Sequence, residues 1–166
     1  MKSRRANLIQ SRKRNAQSLV ELCAALIIAI PLLFTAIDAA FLLLGASLND
    51  QVCRDAARAA ASGPPSDLSL SPVPRLMGSG RAPALRAQAV IDHISYSGLP
   101  MKVRDSFKIN EVITDIPPES IGGAIAGEMI VGTTIDINPP FQLPGLSQVT
   151  FHTQHIMPIT YVRPAS

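Results

Sequence analysis

Residues 12–38 read RKRNAQSLVELCAALIIAIPLLFTAID, which is a basic cluster, a short polar step, one glutamate and then a long apolar run. That order constrains the chain more than anything else in it. Residues 22–37 carry no charge, and apolar residues continue past Asp38 to Leu48. A helix needs about 20 apolar residues to cross a bilayer, and residues 22–46 supply that length. A secretory signal peptide has an apolar region of only about 7–15 residues, so the run reads as a retained anchor. The rival reading is cleavage near Gly45-Ala46-Ser47, where small residues cluster. Glu21 lies at the start of the span, where a carboxylate is costly unless something pairs with it.

The formal charge of +3 conceals an asymmetry. Lys2, Arg4, Arg5, Arg12, Lys13 and Arg14 fall within residues 1–18, which hold no acidic residue. The remainder carries nine basic and twelve acidic residues. The basicity is therefore a local tag beside a span, and such tags hold their end of the helix in the cytoplasm. A basic arm for nucleic acid or anionic lipid is the weaker account of the same residues, and no nucleic-acid partner is expected. Two cysteines are present, Cys23 in the span and Cys53 beyond it. On one helix they would stand about 45 Å apart, too far to pair within a chain. Cys53 is either a small packing residue or a thiol able to pair between chains in an oxidising compartment.

Four segments follow from composition. Residues 1–18 form the basic cytoplasmic leader, and 19–62 a transmembrane helix with a soluble extension. Residues 63–100 form a Pro/Ser/Gly-rich loop with a short helix, and 101–166 a small β-rich extracytoplasmic domain. One proline, Pro31, precedes Ser62-Gly63-Pro64-Pro65, and all the others lie within or after it. Residues 18–62 read as one helix of about 45 residues, stopped by Gly63-Pro64-Pro65. Pro31 removes a backbone hydrogen bond in mid-span and is expected to kink the helix, which membrane helices tolerate. The extension NDQVCRDAARAAAS places Ala56 and Ala60, and Ala57 and Ala61, four apart. Such a face lets another backbone approach closely; simple helix propensity explains the alanines equally well.

Further on, residues 63–80 read as loop and 82–96 as a helix. MKVRDSFKI (101–109), EMIVGTTIDI (128–137) and VTFHTQHIMPITYV (149–162) read as strands, the last being one long strand or two short ones. Runs like these between turn signals imply an antiparallel sheet, with Pro158 at an edge or a bulge. So small a sheet needs cover for its apolar face, and the soluble half of the long helix is the obvious cover. The expected class is α+β and pilin-like: a long N-terminal transmembrane helix continuing into a soluble helix packed on a small antiparallel sheet.

Glu21 is the first candidate for function. If a peptidase cuts between Ala16 and Gln17, Gln17 gains a free α-amine one helical turn from the Glu21 carboxylate. The two groups can then meet within a chain or across neighbouring chains. Pairing would offset the cost of placing either charge in lipid. The plainer alternative has Glu21 snorkelling at the interface.

The stretch NAQSLVELCAALIIAIPLLFTAIDAAFLLLGASLNDQVCRDAARAAAS resembles the N-terminus of TadE-like pilus assembly proteins. These are pseudopilins of the tight-adherence (Flp pilus) secretion system, a type II secretion-like machine. Gln17, Glu21, Pro31, Asp38 and the Ala-Ala-Arg at 56–58 match the family's order over about residues 14–62. The resemblance implies prepilin-peptidase cleavage before Gln17 and a charge-pairing role for Glu21. It also implies partnership with other pseudopilins and machine components, with ATP hydrolysis left to a separate motor. Ala16 stands where the family usually has glycine, and Leu22 where it usually has an aromatic residue.

Asp38 lies about 25 Å along the helix from Glu21. It is a candidate for pairing with a basic group on a neighbouring subunit, the alternative being a carboxylate facing interfacial water. Arg54, Asp55 and Arg58 read as a solvated face with i,i+3 and i,i+4 pairing. His152 and His155 form an HxxH, but on a strand that spacing puts them on opposite faces. No nucleophile elbow, phosphate-binding glycine loop or HExxH is present, so neither an enzyme nor a cofactor is expected. The expected location is the bacterial inner membrane, single-pass, with the N-terminus cytoplasmic and the C-terminal domain periplasmic. The runner-up is an unprocessed single-pass protein displaying a small β-rich binding domain.

Overall fold

The structure, a computed structural model, describes residues 2–66, 75–76, 81–93, 101–103, 107–141 and 147–165, with the backbone alone at 2–16, 75–76 and 102–103. The elements in chain order are α1 (Lys2–Ala61), β1 (Arg75–Leu76), α2 (Ala82–His93), β2 (Met101–Val103), β3 (Lys108–Asp115), β4 (Gly123–Ala124), β5 (Ala126–Ile137), β6 (Val149–Pro158) and β7 (Val162–Arg163). The class is α+β with an antiparallel sheet. The chain divides into two compact units, Met1–Ala40 and Phe41–Ser166.

In the first unit α1 starts at Lys2 rather than near residue 18. The leader contains no proline or glycine, so nothing in it opposes helix. The helix assignment runs through Pro31 without a break, and the Thr35 hydroxyl donates to the Pro31 carbonyl at 2.8 Å. Large apolar side chains in this unit are open, among them Ile27 (72 %), Val20 (68 %) and Leu32 (64 %). Helix Gln17–Ala61 is long and apolar enough to cross a membrane, with an 18-residue window of mean hydropathy 2.5, none of it buried.

The second unit is a two-layer arrangement. β5 is the central strand, paired from Glu128 to Ile137 with β6 on one side. On its other side it pairs with β3 over its first half and with β2 over its last three residues. β1 extends the sheet beyond β3, and β4 and β7 form a separate two-stranded pair. Alternation along β5 turns Met129, Val131, Thr133, Ile135 and Ile137 to the covered face. The C-terminal part of α1 provides the cover, as expected. Val52, Cys53, Ala56, Ala57, Ala60 and Ala61 join Ala84, Ala87 and Ile91 of α2 and Ile109, Ile113, Met129 and Val131 of the sheet in one core. The alanine face therefore does admit a close neighbour, and that neighbour is this chain's own second layer.

Gly45, inside the run assigned to the span, already packs on the sheet. A Cβ on Gly45 would collide with Ile137 Cδ1 and come within 2.9 Å of Met101 Sδ. Close approach thus accounts for the small residue there without invoking a cleavage site.

The far end of α1 is fully capped. A helix leaves its last four carbonyls without intrahelical partners. Here Ser62 N bonds Arg58 O at 3.0 Å and Thr160 N bonds Ala61 O at 3.1 Å. Arg86 Nε and Nη2 bond the carbonyls of Ala59 (3.1 Å) and Ala60 (2.8 Å). Gly63, Pro64 and Pro65 follow, where the sequence placed the stop.

Several strand boundaries differ from expectation. Residues 63–80 contain β1. The 101–109 run divides into β2 and the start of β3, which continues to Asp115. The 149–162 run divides into β6 and β7, parted after Pro158, where Ile159 N turns to bond Gly127 O at 2.8 Å. β6 pairs only with β5 among the described residues, so Pro158 ends an edge strand, where its missing N–H is tolerated. α2 ends at His93, and the expected helical residues 94–96 lie outside the described residues.

Candidate functional site

The positions singled out by the sequence all lie on α1. Ala16 is helical, and its side chain lies outside the described residues. Gln17 and Glu21 are exposed and are brought together, with Gln17 Nε2 donating to Glu21 Oε1 at 3.2 Å. Glu21 is thus held by the residue that would carry the new amine after cleavage before Gln17. Pro31 is exposed. Asp38 is 2 % exposed, which removes the reading of a carboxylate facing water. Pro31 and Asp38 lie several turns from Glu21, so the five positions are spread along the helix and do not form one site.

The polar groups that do converge lie between α1 and the sheet. Thr133 of β5 and Thr153 of β6 are register partners, and Asn49 bridges them. Thr133 Oγ1 donates to Asn49 Oδ1 at 2.8 Å, and Asn49 Nδ2 donates to Thr153 Oγ1 at 3.0 Å. Asn49 is 1 % exposed, and a buried amide is tolerated only when satisfied in this way. One helical turn on, Cys53 Sγ lies 3.2 Å from the Val131 carbonyl and 3.5 Å from that of Thr153. Burial pushes this thiol above its ordinary pKa, outweighing hydrogen bonds that act the other way. With 0 % exposure, Cys53 is the packing residue of the two alternatives and does not reach a second chain.

At the margin of this layer His155 Nε2 lies 2.8 Å from Asp50 Oδ1, while Arg54 Nη2 lies 2.9 Å from Asp50 Oδ2. The hydrogen bond from His155, followed by that from Arg54, holds the Asp50 carboxyl below the usual carboxylate range. Arg54 therefore uses Asp50 as its i,i+4 partner. His155 faces α1, and His152 lies on the opposite, exposed face against Thr134 Oγ1 at 3.1 Å. The HxxH cannot close on one metal, and no group of three His, Cys, Asp or Glu suited to a metal occurs among the described residues.

Two further polar groups escaped the sequence reading. Glu111 is fully buried on β3, where it accepts from Ser66 N at 3.0 Å and from the Ser66 hydroxyl. Arg86 of α2 gathers the carbonyls at the end of α1 together with Pro64 O at 3.1 Å. Both anchor the segment leaving α1. Chemically these contacts are clamps that fix a helix on a sheet.

Among the described residues these parts make a chain with one membrane-length apolar helix and a small two-layer α+β unit. No protein-family model, no curated protein and no solved structure matches it.

Proposed function

We propose that this chain is a membrane-anchored pseudopilin that acts in assembly of a tight-adherence (Flp, type IV-like) pilus or a related secretion machine. The observation that carries the reading is the Gln17–Glu21 pair at the start of an uncovered apolar helix. A carboxylate there invites a positive partner, and the resemblance to TadE-like proteins supplies one in the α-amine of a processed subunit. In this reading the chain sits in the bacterial inner membrane with its leader cytoplasmic and the Phe41–Ser166 unit periplasmic. Its span packs laterally against related spans, Glu21 pairs with a charge on a neighbour, and the outer unit sets register. The chain itself supplies no catalysis and binds no cofactor or nucleic acid; its partners are membrane lipid, other pseudopilins, machine components and a prepilin peptidase.

The test is the intact mass of the membrane-extracted protein from cells with and without an active prepilin peptidase. Loss of residues 1–16 only when the peptidase is active supports the reading. A full-length mass in both removes the amine, and the second reading then stands: a permanent single-pass anchor displaying a small β-rich binding domain. Ala16 in the position of the usual glycine favours that second reading. Genes for a prepilin peptidase, a secretion ATPase and a second pseudopilin beside this one would favour the first.

A further inference from the structure

We propose that the end of the Phe41–Ser166 unit at which α1 enters is a membrane-docking face that rests in the headgroup region of the bilayer, with Phe141 as its aromatic anchor. The proposal rests on the membrane-anchored reading of α1.

Three observations carry it. First, no spacer separates the apolar helix from the folded unit. Leu43 and Leu44 are 73 % and 46 % exposed, and the next residue, Gly45, already packs on Ile137 and Met101. Leu43 lies about 3 Å along the helix from Gly45, so wherever Leu43 and Leu44 meet lipid, the end of β5 is at nearly the same depth. Second, the register places one particular end of the sheet there. Ile137 pairs with Met101 and with Val149, so the terminus of β5 and the starts of β2 and β6 coincide beside Gly45. Phe141 is four residues past Ile137, within about 13 Å of it at full extension, and is 43 % exposed beside the exposed Pro140.

Third, the charge distribution fits that placement. No Asp, Glu, Lys or Arg occurs between Asp136 and Arg163. At this end Lys102 stands opposite Asp136 in register, and Asp136 accepts from Thr150 at 2.6 Å. The opposite end, about 24 Å away along the helix from Gly45 to Ala61, carries the Arg163–Glu119 pair at 3.1 Å and the exposed Asp115 and Glu128. An end that bears an exposed aromatic residue, and whose Asp136 is engaged by Thr150 and faces Lys102 across the strands, suits the bilayer interface, where such rings gather.

The chain contains no tryptophan, so single tryptophans report without background. Three full-length variants at exposed positions are compared in phosphatidylcholine–phosphatidylglycerol vesicles, with and without lipids brominated near the top of the acyl chains. Phe141→Trp probes the proposed face, Leu32→Trp the span, and Ile121→Trp the far end, where Ile121 is 75 % exposed. The expected result is blue-shifted, bromine-quenched emission from Phe141→Trp and Leu32→Trp, with Ile121→Trp unquenched. Because Ile121→Trp also bears an exposed indole, it controls for the affinity of tryptophan itself for membranes. Quenching of Leu32→Trp without quenching of Phe141→Trp overturns the docking face and leaves the anchor standing. Absence of quenching at Leu32→Trp overturns both.

Discussion

The Gln17 side-chain amide donates to the Glu21 carboxylate across one turn of α1, at 3.2 Å. The residue that would become the new N-terminus is thus already the partner of the carboxylate that needs one. Cleavage would add a cationic amine on Gln17 beside its neutral amide, so that the carboxylate gains an opposite charge as well as a donor. Ala16→Gly is expected to raise the fraction of chain that a prepilin peptidase shortens, read as intact mass. Glu21→Gln is expected to leave that mass change in place while reducing co-purification with a partner pseudopilin. A Glu21→Gln protein that co-purifies undiminished would remove the carboxylate from assembly.

Asp50 ties α1 to the edge strand through His155 while its other oxygen holds Arg54. Its carboxyl titrates below the ordinary value of 3.8, chiefly through the His155 bond. A depressed carboxylate contributes stability that is fully present above its unfolded-state value and is lost as pH falls through the lower folded-state value. Wild type is therefore expected to melt above Asp50→Asn at neutral pH, with the gap in Tm closing as pH falls below about 3.8. His155→Ala should shrink the gap at every pH. A gap that widens toward acid would show that the pair does not act in this way.

The parts of the fold that were legible in the sequence depend on local pattern. The long apolar run, the Gly63-Pro64-Pro65 stop and the β-branched run of β5 each announce themselves within a few residues. So does the alternation that separates His152 from His155, and Pro158 marks an edge without any knowledge of what it borders. What stayed illegible depends on contacts distant in sequence. β1 is two residues in a Pro/Ser-rich segment and exists because β3 is beside it. Glu111 reads as a surface carboxylate until Ser66 is placed against it, and Arg86 as a solvated charge until α1 ends beneath it. Asn49 carried a faint signal, being the first amide after a long apolar run, but nothing in the sequence names Thr133 and Thr153 as its partners. Of the candidate positions, the Gln17–Glu21 juxtaposition was legible because it is a matter of helical spacing. The burial of Asp38 was not.

Cys53 should be inert toward thiol reagents while the protein is folded. Cys53 is fully buried with its thiol pKa raised by that burial, and the thiolate is the reactive form. Cys23 is exposed on the helix. In folded protein extracted into mild detergent, maleimide is expected to label the Cys23→Ser variant, whose remaining thiol is Cys53, negligibly; denaturant should make it label. Enlarging the buried site tests packing directly. Cys53→Leu must push against the Val131 carbonyl 3.2 Å away, and overpacking of this kind costs about 1–3 kcal/mol. A Cys53→Leu protein with unchanged Tm would show that the helix rides on the sheet more loosely than these distances indicate.

Arg86 ties α2 to the end of α1 by hydrogen bonds, donating to the carbonyls of Ala59, Ala60 and Pro64. Burial lowers its pKa while the charge of Glu111 acts in the opposite direction; a guanidinium remains charged regardless. Its positive charge also lies where the negative end of the α1 dipole is strongest. Arg86→Ala removes the side-chain donor to the Ala60 carbonyl and leaves Ala59 only the Ser62 hydroxyl at 3.0 Å, and is expected to cost about 2 kcal/mol. Arg86→Lys restores charge but not the fork that reaches two carbonyls at once, so it should recover only part of the loss. Gly63→Ala attacks the same contact from the other side, since a Cβ there would lie 2.7 Å from the guanidinium carbon. If the clamp is the shared cause, Gly63→Ala and Arg86→Ala combined should destabilise by less than the sum of the two, because the second change finds the contact already lost. Thermal or denaturant unfolding of the four proteins supplies the cycle, and strict additivity would show that the Gly63 effect does not act through Arg86.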